Sequence, residues 1–383
     1  MIWPILGLIP VAALIAAVVT AIALRAGRRA VDTAPRDGQF KEAARGIPNT
    51  GGIGIFAGLW LPLIAALAAF WHGADLLPDD LRVHAEGVRT KTGPAVLMLA
   101  CLALVHVLGL IDDRRPLGPL LKLVVMVVPP VLVVTGAGVV EGTRLLELAD
   151  AHVGGAWLSV LVTVLWFVAV TNAMNFIDNM DGLSAGVAAI CAAAFLGAAL
   201  LSQQWFVASA LALLVGACLG YLPFNFPGAR IFMGDGGSLV LGFALAYLTV
   251  RTTYIGESPT GEPLAGGWYG VLMPLVVLAV PLYDMVSVTL IRLRQGRSPM
   301  VGDLQHLSHR LVKRGFGKTT AVLVIWGLTG ATALAGVALP RLEAWQATLA
   351  GVQTLLLLGV IALLEYSSSP AGARPDSLSL HPR

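Results

Sequence analysis

The stretch Asn172-Ala-Met-Asn-Phe-Ile-Asp-Asn-Met-Asp-Gly-Leu-Ser184 follows an apolar run, 157–170, that is long enough to cross most of a membrane. It sets four polar residues at a strict spacing of three: Asn172, Asn175, Asp178 and Asp181. Because a step of three lags by about 60° on an ideal α-helix, these groups converge only if the helix ends near Asn175. The dipeptide Asp181-Gly182 is a natural turn. Carboxylates beside amide oxygens are typical of Mg²⁺ and phosphate chemistry. The alternative is a helix cap in a polar loop.

The composition is that of a membrane protein. The chain has 383 residues, of which 57% are hydrophobic and only 12% are charged, whereas soluble domains carry about 25% charged residues. Repeated apolar runs of about 18 residues or more predict transmembrane helices. The three cysteines lie in apolar runs at unrelated spacing, which argues against a disulfide framework or a zinc site. We therefore predict an all-α, polytopic membrane bundle.

The apolar runs predict about eleven transmembrane helices. Their approximate ranges are 3–24, 52–71, 94–111, 117–140, a helix from 157 into the polar motif, 183–201, 205–222, 235–250, 268–291, 319–339 and 345–364. We expect a kink at Pro129-Pro130. Residues 1–366 are interpreted as one transmembrane domain, and the Ser/Pro/Arg-rich residues 367–383 as a disordered cytoplasmic tail.

The distribution of basic residues predicts the orientation. With eleven helices, 19 of the 25 Lys and Arg residues fall on one side, which the positive-inside rule makes cytoplasmic. The N-terminus is then outside and the C-terminus inside, in the plasma (inner) membrane. The acidic motifs all fall at cytoplasmic helix ends, whereas a transporter typically places its site near the midplane. This pattern favours an enzyme with its active site at the cytoplasmic face.

Two further acidic motifs lie at predicted helix ends. Asp112 and Asp113 are adjacent, so on a helix their side chains point about 100° apart and can divide two tasks. The alternative is a solvated loop pair. Asp235 lies in Gly234-Asp-Gly-Gly-Ser238, where it is a candidate Mg²⁺ ligand or an ordinary helix N-cap. The glycine pair of Arg45-Gly-Ile-Pro-Asn-Thr-Gly-Gly-Ile53 allows close approach to a ligand, but a loop entering a helix is the favoured interpretation.

A basic loop carries two histidines. His306 and His309 are three residues apart, on one helix face. With Arg310 they form a candidate pyrophosphate grip, and a metal pair is the alternative. Asp284 is expected to pair with Arg292 or Arg294 in a structural role.

Four stretches, in order and spacing, resemble the signatures of the polyprenyl-phosphate N-acetylhexosamine-1-phosphate transferases. They are Asp112-Asp113, Asn172–Leu183, Phe232–Ser238 and Asp303–Arg310. The resemblance covers about residues 1 to 340. It implies transfer of a sugar-1-phosphate from a UDP-sugar to a membrane polyprenyl phosphate, with Mg²⁺ (Mn²⁺ as the alternative ion) and release of UMP.

The motifs and the resemblance together give a set of predicted roles, of which that of Lys122 is implied by the resemblance alone. The predicted catalytic residues are Asp112, Asp113, His306 and His309. The predicted substrate-binding residues are Asn172, Asn175, Asp178, Lys122 and Arg310. The predicted metal ligands are Asp235 and Asp181. The chain departs from the family pattern at Met126, where a glutamine is common, and at Asn179, which replaces a frequent glycine.

The sequence favours one branch of this family. It lacks the His-His-His run of the phospho-MurNAc-pentapeptide branch, and Ile47-Pro-Asn-Thr-Gly-Gly52 differs from that branch's Thr-Pro-Thr-Met-Gly-Gly. We expect an enzyme that transfers GlcNAc-1-phosphate in the first membrane step of cell-envelope polysaccharide synthesis. The alternatives are UDP-MurNAc-pentapeptide or another UDP-HexNAc as donor, or a transporter or flippase of lipid-linked or nucleotide sugars. The expected partners are the UDP-sugar, the lipid and the membrane, with a homodimer as an option and no nucleic acid.

Overall fold

The computed structural model describes residues 1–30, 46–136, 144–145, 150–252, 272–299 and 303–366. Within these ranges all regular elements are helices, so the predicted all-α class is confirmed. The predicted tail, 367–383, lies outside the described residues, as does most of the basic loop before Ile47.

Sixteen α-helices lie within the described ranges. In order they are α1 (Ile2–Ala30), α2 (Gly52–His72), α3 (Asp79–Arg82), α4 (Ala85–Thr90), α5 (Thr92–Arg114), α6 (Pro119–Thr135), α7 (Asp150–Val153), α8 (Trp157–Phe176), α9 (Leu183–Leu201), α10 (Trp205–Asn225), α11 (Asp235–Thr252), α12 (Met273–Val277), α13 (Ala279–Arg294), α14 (Leu307–Lys313), α15 (Lys318–Ala338) and α16 (Ala344–Tyr366).

Eight of these helices are long and apolar enough to cross a membrane: α1, α2, α5, α8, α9, α10, α15 and α16. Large apolar side chains such as Leu14, Leu165 and Leu355 are exposed on their outer faces, as expected for surfaces that contact lipid rather than water. The chain is therefore a multi-pass helical membrane protein.

Helix α11 is the centre of the bundle. Every residue from Gly236 to Val250 is buried, and the helix packs against α2, α5, α8, α9 and α10. Small residues allow these close crossings. A Cβ added to Gly52 would lie 2.3 Å from the backbone nitrogen of Gly237, and one added to Gly109 would lie 2.4 Å from the carbonyl oxygen of Asp235. The glycine pair lies at the start of α2, with Gly51 as the N-cap and Gly52 as the first helical residue, which agrees with its interpretation as a loop entering a helix.

The turn predicted after Asn175 is confirmed. Helix α8 ends at Phe176, and Gly182 precedes α9 with a φ of +76°. A side chain there would be strained, and a Cβ would also lie 2.6 Å from the ring of Phe226. The polar motif thus forms a compact loop between two long helices.

Two predicted helices have different bounds in the structure. Helix α6 ends at Thr135 because Gly136 adopts an extended backbone. The helix predicted at 268–291 is divided at Leu278 into α12 and α13. Pro281 has no N–H to offer the carbonyl of Val277, and the thiol of Cys191 donates to that carbonyl at 3.5 Å instead. The missing N–H of Pro281 therefore explains the break, and the thiol of Cys191 bonds the carbonyl that the break leaves free.

Candidate active site

Four helix ends meet at one end of the bundle: the last turns of α5 and α8 and the first turns of α6 and α11. Lys122 of α6 lies between two carboxylates. Its ammonium is 3.1 Å from Oδ2 of Asp112 and also contacts Oδ2 of Asp235. The three side chains are only 14 to 21% exposed, so these charges interact more strongly than they would in water. Residues from three helices therefore form one partly buried charge cluster.

Asn175 belongs to the same cluster. Its amide nitrogen donates to Oδ1 of Asp235 and to Oγ of Ser238, both at 2.9 Å. Its amide oxygen is 3.5 Å from Nζ of Lys122. Asn175 therefore orients the Asp235 carboxylate from one side while Lys122 neutralises it from the other.

Asp113 points away from its neighbour Asp112, as the predicted helical geometry requires. Its Oδ1 accepts hydrogen bonds from the backbone N–H of Asp235 at 3.0 Å and from Nδ2 of Asn49 at 2.8 Å. Its Oδ2 accepts the N–H of Gly236 at 3.0 Å. These are N–H groups that a helix leaves without an internal partner, and a carboxylate there also complements the helix dipole. Asp113 thus caps α11, whereas Asp112 contacts Lys122.

The other polar residues of the opening motif contact different groups. Asn172 donates from Nδ2 to the carbonyl of Val168 at 2.8 Å, within its own helix. Asp181 accepts the N–H of Ala229 at 3.0 Å, in the loop after α10. Asp178 lies in the loop between α8 and α9, and its N–H donates to the carbonyl of Asn175 at 3.3 Å. Among the four residues at the spacing of three, Asn175 forms a hydrogen bond to Asp235.

The histidine motif packs against this loop. His306 lies directly before α14, and its ring meets the ring of Phe176 edge-on, with 5.9 Å between centroids. Nδ1 of His306 donates to Oδ2 of Asp284 at 2.8 Å, and the N–H of Leu307 donates to Oδ1 at 2.6 Å. Asp284 was expected to pair with Arg292 or Arg294; it holds His306 and the start of α14 instead. The hydroxyl of Ser308 donates to Oδ1 of Asn179.

His309 is the more accessible of the two histidines, with its ring 6.5 Å from that of His306. Burial, followed by the nearby His306 and Lys313, lowers the pKa of His309 below its ordinary value of 6.5. The ring is therefore neutral at pH 7, with one N–H donor and one acceptor.

Arg310, a predicted substrate contact, lies in a buried ion pair. Its Nη2 is 3.1 Å from Oε1 of Glu365 at the end of α16 and 2.9 Å from Oγ of Ser287. The other carboxylate oxygen of Glu365 accepts from the hydroxyl of Tyr283 at 2.9 Å. The Glu365 side chain is 1% exposed. In this arrangement Arg310 joins α14 to α16 and does not contact the acidic cluster.

A second ion pair closes the loop between α13 and α14. Arg292 grips Asp303 with two nitrogens, at 2.9 and 3.1 Å. Burial raises the pKa of Asp303, but the bonds from Arg292 and from the N–H of Gln305 outweigh it and hold that pKa below its ordinary value of 3.8. The guanidinium of Arg292 also lies 5.6 Å from the ring of Phe176. This pair therefore fixes the histidine motif against the end of α8.

Sequence reasoning missed Asn49, Ser238 and the partner of His306. Asn49 lies in a loop where the sequence analysis considers the glycine pair alone, and Ser238 lies in a motif whose chemistry it assigns to Asp235. The polar character of both was visible in the sequence. Their partners were not, because these are 64 and 63 residues away.

The charge cluster lies in a region that matches a known protein family. The profile described as "Glycosyl transferase family 4" matches residues 95–253, which contain the whole charge cluster. The chain is 35% identical over 312 residues to a decaprenyl-phosphate N-acetylglucosaminephosphotransferase of Mycobacterium tuberculosis, a match that covers 75% of this chain and 70% of that protein. The chain belongs to glycosyl transferase family 4. The predicted family resemblance is confirmed.

Two other relatives of this family are more distant. An undecaprenyl-phosphate alpha-N-acetylglucosaminyl 1-phosphate transferase of Escherichia coli is 28% identical over 298 residues, covering 75% of this chain and 71% of that protein. A probable undecaprenyl-phosphate N-acetylglucosaminyl 1-phosphate transferase of Bacillus subtilis is 28% identical over 263 residues, covering 69% of this chain and 70% of that protein. All three names describe transfer of the same amino sugar phosphate to a polyprenyl phosphate.

Proposed function

We propose that this protein transfers N-acetylglucosamine-1-phosphate from UDP-GlcNAc to a membrane polyprenyl phosphate, giving the lipid pyrophosphate sugar and UMP. The observation that carries the proposal is the Lys122 cluster, in which Asp112 and Asp235 from two helices face one ammonium at the end of the bundle. The names of the relatives supply the amino sugar and the class of lipid. The product would start a cell-envelope polysaccharide.

We propose eleven membrane crossings, adding α6, α11 and the α12–α13 pair to the eight apolar helices. The support is the alternation of helix ends around the site. Contacts near the site bring the ends of α1, α5, α8, α10, α13 and α16 to its side of the bundle, together with the starts of α2, α6, α9, α11 and α15. The positive-inside count then makes this side cytoplasmic in the plasma (inner) membrane, with the N-terminus outside. A soluble UDP-sugar could reach the site from there.

The residues present fit a Mg²⁺ ion. Two carboxylates, Asp112 and Asp235, converge beside the amide oxygen of Asn175. Within the described part of the chain, no three acidic, histidine or cysteine side chains form a metal cluster. Mg²⁺ commonly takes one or two carboxylates and completes its shell with water and substrate phosphates. We propose that Asp112 and Asp235 would hold it; when bound, it would neutralise charge on the pyrophosphate oxygens.

The proposed reaction exchanges one phosphoanhydride for another. An oxygen of the lipid phosphate forms a bond to the sugar-bearing phosphorus of UDP-GlcNAc, and the bond from that phosphorus to the UMP oxygen breaks. A phosphate monoester has its second pKa at about 6, so the lipid phosphate is a competent nucleophile at pH 7 without a strong base. The work left to the protein is therefore positioning and charge neutralisation.

Each residue of the cluster has a proposed task in this exchange. Lys122 attracts the anionic substrates and holds the two carboxylates together. Asp112 orients the lipid phosphate, and Asn175 fixes the rotamer of Asp235. His309, neutral at pH 7, donates a hydrogen bond to a pyrophosphate oxygen. His306 is fixed by Asp284 and supports the loop that carries His309.

The test is direct. Purified protein is given radiolabelled UDP-GlcNAc, undecaprenyl phosphate and Mg²⁺, and both the lipid product and UMP are measured. We expect Asp235→Asn to abolish UMP release at any Mg²⁺ concentration, while Asp79→Asn, at an acid that is 96% exposed, retains it. Appreciable activity in Asp235→Asn would remove the proposed role of that carboxylate.

A donor panel separates the alternatives. UDP-MurNAc-pentapeptide and other UDP-HexNAc donors are assayed under the same conditions, and a preference for one of them would change the assigned sugar. Movement of labelled substrate across the membrane of proteoliposomes without UMP would instead indicate a transporter. Light scattering in detergent distinguishes a homodimer from a monomer.

A further inference from the structure

His106 is a buried ionisable residue that the proposed reaction does not use. It lies in α5, about two turns before the acidic pair, and is 6% exposed. Ionisable groups within a membrane-spanning helix are costly and usually serve a function. A role is therefore expected for His106 in this helix.

The ring of His106 is held in a fixed place. It stacks on the ring of Phe56 of α2, with centroids 4.2 Å apart and planes 3° from parallel. Its Nδ1 is 2.7 Å from the carbonyl oxygen of Gly236 in the first turn of α11. A carbonyl oxygen can only accept, so Nδ1 carries the proton and donates it.

This contact completes a clamp around the residue next to Asp235. Asp113 accepts the N–H groups of Asp235 and Gly236, while His106 donates to the carbonyl of Gly236. Side chains of α5 therefore bond both the N–H groups of Asp235 and Gly236 and the carbonyl of Gly236.

The clamp follows from one face of α5. His106, Gly109 and Asp113 occur at i, i+3 and i+7, which places them on one stripe of the helix. At the middle position the absence of a side chain lets α11 approach, since a Cβ on Gly109 would meet the backbone of Asp235 at 2.4 Å. This face of α5 therefore bonds one turn of α11 through the donor of His106 and the acceptor of Asp113, and Gly109 lets the two helices come close.

We propose that His106 is a positioning residue for Asp235: its Nδ1–H fixes the first turn of α11 and so the direction in which the Asp235 carboxylate meets Lys122 and the substrates. This inference rests on the proposed transferase function. It assigns no substrate contact and no proton transfer to the ring of His106.

The test compares substitutions that keep or move the donor. An asparagine places its amide nitrogen where Nδ1 stands, whereas a glutamine places it nearer the position of Nε2. We expect His106→Gln and His106→Leu to lower kcat about 10- to 100-fold, the usual effect of losing a group that orients a functional side chain. We expect His106→Asn to stay within about 3-fold of the unaltered protein, and the KM for UDP-GlcNAc to change little in all three.

Val105→Ala is the matched control, because it removes buried volume from the same helix without touching the clamp. Melting temperatures in detergent are measured alongside. Equal loss of kcat in His106→Asn and His106→Gln, or loss of melting temperature with kcat unchanged, would assign His106 to packing alone and overturn the inference. If the unaltered protein releases no UMP, the proposed function fails first, so the two failures are distinguishable.

Discussion

The two adjacent aspartates of α5 are expected to respond differently to the same substitution. Asp113 accepts three hydrogen bonds, two of them from the first N–H groups of α11. Asp112 accepts one backbone N–H, from Leu117 at 2.8 Å, and faces Lys122. Asparagine has the shape of aspartate but replaces one acceptor oxygen by a donor and removes the charge. Asp113→Asn should therefore act first on stability, and Asp112→Asn on turnover.

The size of the Asp113 effect follows from its contacts. If the new amide nitrogen takes the place of Oδ2, the N–H of Gly236 loses its acceptor; in the other orientation two donors lose theirs. Losing one hydrogen bond to a charged group costs about 1.5 to 3 kcal/mol, and losing the charge at the helix start costs about 0.3 to 1 kcal/mol. Because Asp113 is only partly buried, we expect the lower end, about 2 kcal/mol.

Thermal unfolding in detergent measures this loss. We expect Asp113→Asn to melt about 2 to 3 °C below the unaltered protein and to lose turnover because Asp235 is displaced. Asp112→Asn is the isosteric control: Lys122 still has Asp235 as a partner, so we expect a smaller shift in melting temperature with a larger loss of UMP release. If Asp112→Asn were the less stable variant, or Asp113→Asn melted like the unaltered protein, the division of tasks between the two carboxylates would be refuted.

Three further outcomes follow from the same contacts. Lys122→Met leaves two carboxylates without their shared cation, so we expect turnover to fall and calorimetric affinity for Mg²⁺ to rise; an unchanged affinity would argue against a metal site there. Glu365→Leu leaves the buried Arg310 without its carboxylate partner and should destabilise the protein by about 3 kcal/mol or more. The double variant with Arg310→Met should recover most of that loss in thermal melts. His309 has a pKa below 6.5 in the folded protein, so its contribution to stability is present above pH 6.5 and is lost as the pH falls through the lower folded value. Melting temperatures of His309→Asn between pH 7 and 5 should lack that part of the decline, and identical profiles would contradict the shift.

Local features of the fold were predictable from the sequence. The end of α8 near Asn175 and the turn at Gly182 depend on residues within a few positions of each other, and both are confirmed. The break at Leu278 was missed because apolar composition continues through it. Pro281 was the available signal, but an isolated proline in a membrane helix is often tolerated, and the thiol that satisfies the freed carbonyl lies 86 residues away.

The members of the site were more predictable than their tasks. The motifs named Asp112, Asn175 and Asp235, and the family resemblance added Lys122; the structure joins all four in one cluster. Helical geometry predicts that the adjacent aspartates divide two tasks, but it does not give their partners, which lie on different helices. A residue type and its spacing give the chemistry that is available, whereas the choice of partner depends on how the helices cross.

The spacing of three in the opening motif shows why that distinction matters. Residues spaced by three keep a constant angle to one another around the axis only while the backbone stays helical, and α8 ends at Phe176. Before that point Asn172 bonds its own helix and Asn175 reaches Asp235; beyond it Asp181 bonds the loop at Ala229. One regular pattern therefore supplies a helix contact, a contact to the charge cluster and a loop contact. The crossing of α8 with α11 selects which of these polar groups faces the Asp235 carboxylate. That crossing depends on Gly242, a small residue of α11 that is distant from the motif in sequence and packs closely against Thr171 of α8.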